Sequence, residues 1–169
     1  MFQKIGSRLS YHLTDKNDLA GIFRVQIQLT QALCNIAGYE NNRARMISQG
    51  VVATVVKTWD KMKNSNLGYK NQKELDEYRH VAAALVLSLS NCKGELRVTM
   101  IRQKSVQLLG DISSAPTGNN KNEATDQEIE TRQRCVSSII SIIVVVVFET
   151  VYGYTISTKI IFRDPFHDS

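Results

Sequence analysis

Side chains able to do chemistry are few and widely spaced in this sequence. It holds three cysteines, Cys34, Cys92 and Cys135, and three histidines, His12, His80 and His167. An odd number of cysteines with no CxxC pair reads as reduced thiols, not as a disulfide framework or a zinc site. No phosphate-binding glycine loop, HExxH, GxSxG or calcium loop is present. No cofactor or metal is therefore expected. A nucleophile and a base of suitable types occur as Cys34 and His80, on helices that a repeat would bring side by side. The preferred reading of that pair is a packed small thiol and a surface histidine. The carboxylates Glu74, Asp76 and Glu77 stand beside Lys73 and Arg79 and are expected at a solvated helix start. Trp59-Asp60 lacks the short-strand spacing of a propeller blade, so Trp59 is expected to pack in the core.

One pattern of polar residues is regular. Asn35, Ser88 and Ser141 are spaced by 53 residues, each inside a run of small and apolar residues. Around them the same shift aligns Ala82 with Cys135, Val86 with Ile139 and Leu89 with Ile142. Between the first two copies Ala37 falls on Ser90, Arg43 on Arg97, Met46-Ile47 on Met100-Ile101 and Val52 on Val106. The shift grows by one residue at the turn. Regular internal similarity of this kind marks stacked structural units.

The elements that position these residues follow from local signals. The stretch TQALCNIAGYENNRARMISQGVV crosses a junction between units. A small-residue helix ends near Gly38, YENNRARMIS forms a short helix, and Gly50 stops it. VVATVVKTWDKM follows with apolar residues at helical spacing. A polar loop leads to the long helix KELDEYRHVAAALVLSLS. The second unit repeats the order: ELRVTMIRQ is short, SVQLLGDI medium, SSAPTGNNKNEATDQ a turn-rich loop, and EIETRQRCVSSIISI long.

This three-helix unit resembles the armadillo repeat. The likeness is carried by ALCNIAGYENNRARMISQGVVATVV, close over Ala32 to Val56. It is fair over Ala82 to Leu109, where Ser88 replaces the asparagine and Lys104 the glycine, and weak over Arg134 to Ile142. The spacing exceeds the family's ~40–47 residues because the loops at 63–73 and 113–126 are long. The resemblance implies an all-α, right-handed superhelical solenoid of about two units plus a partial one. Its implied organisation is a poorly matched segment at 1–19, repeats over 20–142 and a divergent tail at 143–169. That tail alternates like β structure or is poorly ordered, and either folds back over the last unit or belongs to an incomplete solenoid; the second is favoured.

The family's third helices line a concave, peptide-binding surface. Position by position, the resemblance places Asn35, Ser88 and Ser141 there, with Gln31 one turn before the first. Gln28 and Arg24 precede it on the same face, and their counterparts on the later helices are Val81 and Glu77, then Arg134 and Glu130. The groove candidates are thus Arg24, Gln28, Gln31, Asn35, Ser88 and Arg134. Gln31, Ala84 and Ser137 stand where nuclear-import adaptors carry tryptophan, which argues against a receptor of that kind. The groove residues mix charges, so the ligand's sign stays open. The expected function is non-enzymatic binding of an extended peptide or partner helix, the alternative a structural fragment of a longer solenoid. A Cys34–His80 thiol enzyme is the least favoured reading.

Composition agrees with one folded domain. The chain has 169 residues, 43% hydrophobic and 22% charged, ordinary for a globular protein. Net charge is +5, with the positive residues dispersed, so nucleic acid is not the expected partner. The partner is expected to be a protein, or adjoining repeats of a longer assembly. MFQKIGSRLSYHL lacks the apolar core of a secretory signal, and IISIIVVVVF is shorter than the ~20 residues a membrane span needs. Cytoplasm is the expected compartment, with nucleus, cytoskeleton or cilium open.

Overall fold

A computed structural model describes residues 18–64, 72–115 and 126–152. They form seven helices, with no strand among the described residues. In chain order these are α1 (Asp18–Ala37), α2 (Glu40–Ser48), α3 (Val51–Asn64), α4 (Gln72–Ser90), α5 (Gly94–Arg102), α6 (Ser105–Ser114) and α7 (Asp126–Tyr152). The order long, short, medium, long, short, medium, long matches the repeat read in the sequence.

Like helices pack on like. α4 lies against both α1 and α7, α2 packs on α5, and α3 on α6. This arrangement buries one continuous core. In α3, Val52, Val55, Trp59 and Met62 are buried at spacings of about one helical turn. α4 is enclosed most completely, with Tyr78, Val81, Ala82, Ala83, Leu85, Val86 and Leu89 all in the core. Ala82 and Ala83 keep this central helix slim where its neighbours approach.

The two short-to-medium junctions share one geometry. The Gly50 N–H donates to the Ile47 carbonyl at 3.0 Å, and the Lys104 N–H to the Ile101 carbonyl at 2.8 Å. The carbonyls of Gly50 and Lys104 accept from Thr54 and Leu108, both at 3.0 Å. Both residues hold positive φ, 77° at Gly50 and 65° at Lys104. The turn therefore needs the left-handed region whether or not glycine supplies it. The side chain of Gln103 ties the junctions together, donating to the Ile47 carbonyl at 2.8 Å and accepting from the Ala53 N–H at 3.3 Å.

Two expectations need correction. α7 continues as one helix to Tyr152, so residues 143–152 are helical and not β-like. The alternation of Val and Ile there is overridden by helix continuation from a segment already packed on α4. Residues 153–169 of the expected tail, and residues 1–17 of the N-terminal segment, lie outside the described residues. Secondly, Glu74 and Asp76 do not form a freely solvated helix start. Glu74 is largely covered and pairs with Arg24 of α1 at 3.3 Å. Asp76 pairs at 3.0 Å with Arg79, which is only 3% exposed and also donates to the carbonyls of Ile112 and Ala115. The buried guanidinium thus closes the end of α6, where carbonyls lack helical partners. Among the described residues no helix is long and apolar enough to cross a membrane.

Candidate functional site

The candidate surface is built from α1, α4 and α7, the three long helices that lie side by side. α1 contributes a stripe at helical spacing, Arg24, Gln28, Gln31 and Asn35, and all four residues are exposed. The stripe arises because Phe23, Ile27, Thr30 and Ala37 turn into the molecule, leaving the polar positions outside.

Part of this stripe borders a depression of about 270 Å³ between α1 and α4, lined by Arg24, Ile27, Gln28, Lys73, Glu74 and Glu77. Charges of both signs meet there. Arg24 faces Glu74, while Lys73 and Glu77 are exposed nearby. Sequence reasoning missed Lys73 and Glu74 as site residues. Both lie at the start of α4, and only the packing of α1 on that turn brings them to the candidate stripe.

The second group sits between α4 and α7. The Arg134 guanidinium donates to His80 Nε2 at 2.9 Å and pairs with Glu130 on its own helix. His80 Nδ1 lies 3.0 Å from the Thr131 hydroxyl, which donates to the Gln127 carbonyl. With Nε2 accepting from Arg134, the ring proton resides on Nδ1 and points at Thr131 Oγ1. Burial and the Arg134 charge hold the His80 pKa below the usual histidine value, against the opposing pull of Glu130. His80 is therefore a neutral acceptor for Arg134 near pH 7.

The serine candidates behave differently from Asn35. Ser88 is half-buried and donates to the Ala84 carbonyl of its own helix at 3.0 Å. Ser141 is buried and points toward the Ser90 carbonyl of α4 at 3.5 Å. Of the three evenly spaced polar positions, Asn35 alone presents an exposed side chain. Arg134, half-buried and held by His80 and Glu130, joins a different cluster from the α1 stripe.

Cys34 and His80 do not engage each other as nucleophile and base. The Cys34 thiol donates to the Val81 carbonyl at 3.5 Å, and burial pushes its pKa up to about 11. That shift opposes formation of the thiolate a nucleophile needs. His80 has both nitrogens committed to Thr131 and Arg134. No cluster of three or more His, Cys, Asp or Glu among the described residues can hold a metal ion.

Comparison of the chain with protein-family models, with curated proteins and with solved structures finds no match.

Proposed function

We propose that the chain is an armadillo-type solenoid acting as a non-enzymatic protein-interaction module. It takes an extended peptide or a partner helix across the exposed faces of α1, α4 and α7. The observation that carries this reading is the α1 stripe. Arg24, Gln28, Gln31 and Asn35 form a continuous row of exposed donors and acceptors, held in place because the adjoining side of the helix is buried at Phe23, Ile27 and Thr30. Amide side chains offer a donor and an acceptor each and so suit a peptide backbone. The mixed charges beside the row, Glu74, Lys73 and Glu77, favour a ligand with both signs over a purely acidic or basic one. The serial packing of like helices, α1 on α4 on α7, supports this reading.

The test is binding of the full chain to an array of random extended peptides. Peptides selected by the wild-type chain should lose affinity at least tenfold for the Gln28→Ala, Gln31→Ala, Asn35→Ala triple variant, with its melt unchanged. Unaltered affinity in that variant would remove the α1 stripe from the site.

A second reading, a structural role within a larger stack of such units, is favoured by one observation. The end helices α1 and α7 both expose large apolar residues.

A further inference from the structure

Each long helix has two stacking faces, and the 53-residue repeat shows which is which. The face of α1 turned to α4 carries Phe23, Ile27, Thr30, Cys34 and Ala37. Moving on by 53 residues gives Asp76, His80, Ala83, Leu87 and Ser90 of α4. This is the face that meets α7, since His80 touches Thr131 and the Ser90 carbonyl faces Ser141. The same step onto α7 gives Ile129, Gln133, Val136, Ile140 and Ile143, and every one of them is exposed. Val147 extends the stripe by another turn and is exposed too.

The opposite face runs the other way. On α7, Thr131, Cys135, Ser138 and Ile142 are buried. Their counterparts on α4 are Tyr78, Ala82, Leu85 and Leu89, also buried, on the same side as Glu74 and Val81, which bond to α1. Stepping back once more gives Val25, Leu29, Ala32 and Ile36 of α1, all exposed.

Both internal junctions therefore join a forward face to a backward face. Among the described residues, one forward face lies open on α7 and one backward face on α1. Aliphatic side chains dominate both, with Gln133 the one polar residue among them: Ile140 is 51% exposed and Leu29 50%. Contiguous apolar surface of this kind marks an interaction site. We infer that the protein self-associates head to tail, with α7 of one copy seated on α1 of the next. The new junction continues the α1–α4–α7 series. The occupant is assigned by register: the face that fits a forward face in this molecule is a backward face, and a second copy offers one. Such a contact is heterologous, so it propagates into a ring or an open filament and does not stop at a symmetric dimer. The inference makes no use of the polar stripe and stands or falls apart from the peptide-binding reading.

The test is the mass of the full chain in solution, by light scattering and sedimentation over a rising concentration series. Wild-type protein should grow beyond a dimer. Ile140→Glu closes the forward face and Leu29→Glu the backward face. Both sites are exposed, so each variant should melt like wild type, and Val136→Lys serves as a second forward-face variant. Each variant alone should remain at the 19.0 kDa monomer mass. An equimolar mixture of Ile140→Glu and Leu29→Glu should double in mass and grow no further, because one intact junction remains. A wild-type chain that stays monomeric throughout would overturn the inference. Dimers of Leu29→Glu alone would also overturn it, showing a symmetric contact between two α7 helices.

Discussion

Gly50 and Lys104 occupy the same backbone position in successive units, with φ of 77° and 65° and matching hydrogen bonds on both sides. The turn between short and medium helix is a fixed device, and its second copy is made by a residue that resists the conformation. A non-glycine residue in the left-handed region costs about 1–2 kcal/mol, partly offset by the greater chain entropy glycine loses on folding. Lys104→Gly should therefore stabilise the fold by about 0.5–1 kcal/mol. A Cβ at Gly50 meets nothing within 4 Å, so Gly50→Ala should cost only the backbone term, about 1 kcal/mol. Denaturant unfolding of the two variants checks both signs.

Arg79 is a buried cation with its guanidinium spread over Asp76 and the carbonyls of Ile112 and Ala115. Arg79→Met should destabilise by about 3 kcal/mol, since it orphans buried carbonyls and leaves Asp76 without its cation. Asp76→Asn keeps a hydrogen-bond acceptor and should cost less than about 1 kcal/mol. Equal losses in the two variants would contradict the carbonyl-closing role.

Stability should depend on pH through His80. Its folded pKa lies below the ordinary histidine value because of burial and Arg134. Below about pH 6.5 the unfolded chain takes up a proton that the folded chain resists. Stability should thus fall as pH drops from that value through the folded pKa, and recover as pH rises. His80→Gln, which keeps an acceptor for Arg134, should flatten this part of the melting-temperature profile. An unchanged slope would show that the cluster does not couple to folding.

Trp59 is fully buried, yet its indole Nε1 has no hydrogen-bond partner. Its contribution is packing. Trp59→Ala should cost about 3–5 kcal/mol through loss of buried area and a cavity. Trp59→Phe also removes an unsatisfied donor, and should cost no more than about 1–2 kcal/mol. Calorimetric melting separates the two.

Much of the architecture was legible in the residues. The order of short, medium and long helices follows from apolar spacing and from Gly50, and Lys104 shows in the sequence as the break in the pattern. These signals are local, so they survive without knowledge of neighbours. The site was only partly legible. Asn35 and Ser88 look alike by spacing, but Asn35 sits on an end helix with an open side, whereas Ser88 lies on α4 between two neighbours and turns its hydroxyl to Ala84. Glu74 reads as a surface carboxylate until α1 lays Arg24 across it.

By itself the sequence determined the periodicity up to residue 142: which of those segments are helical, where they break, and that the units are spaced by 53 residues. Helix propensity, apolar spacing and turn residues act within a few positions of one another. Only the tertiary structure decided which side of each long helix is covered. It showed that Val136 on α7 stays exposed although it matches the buried Ala83 of α4, and that residues 143–152 continue as helix. The reason is physical. Burial depends on whether a neighbouring helix lies against a face, and two helices with the same pattern differ when one is in the middle of the stack and the other at its end.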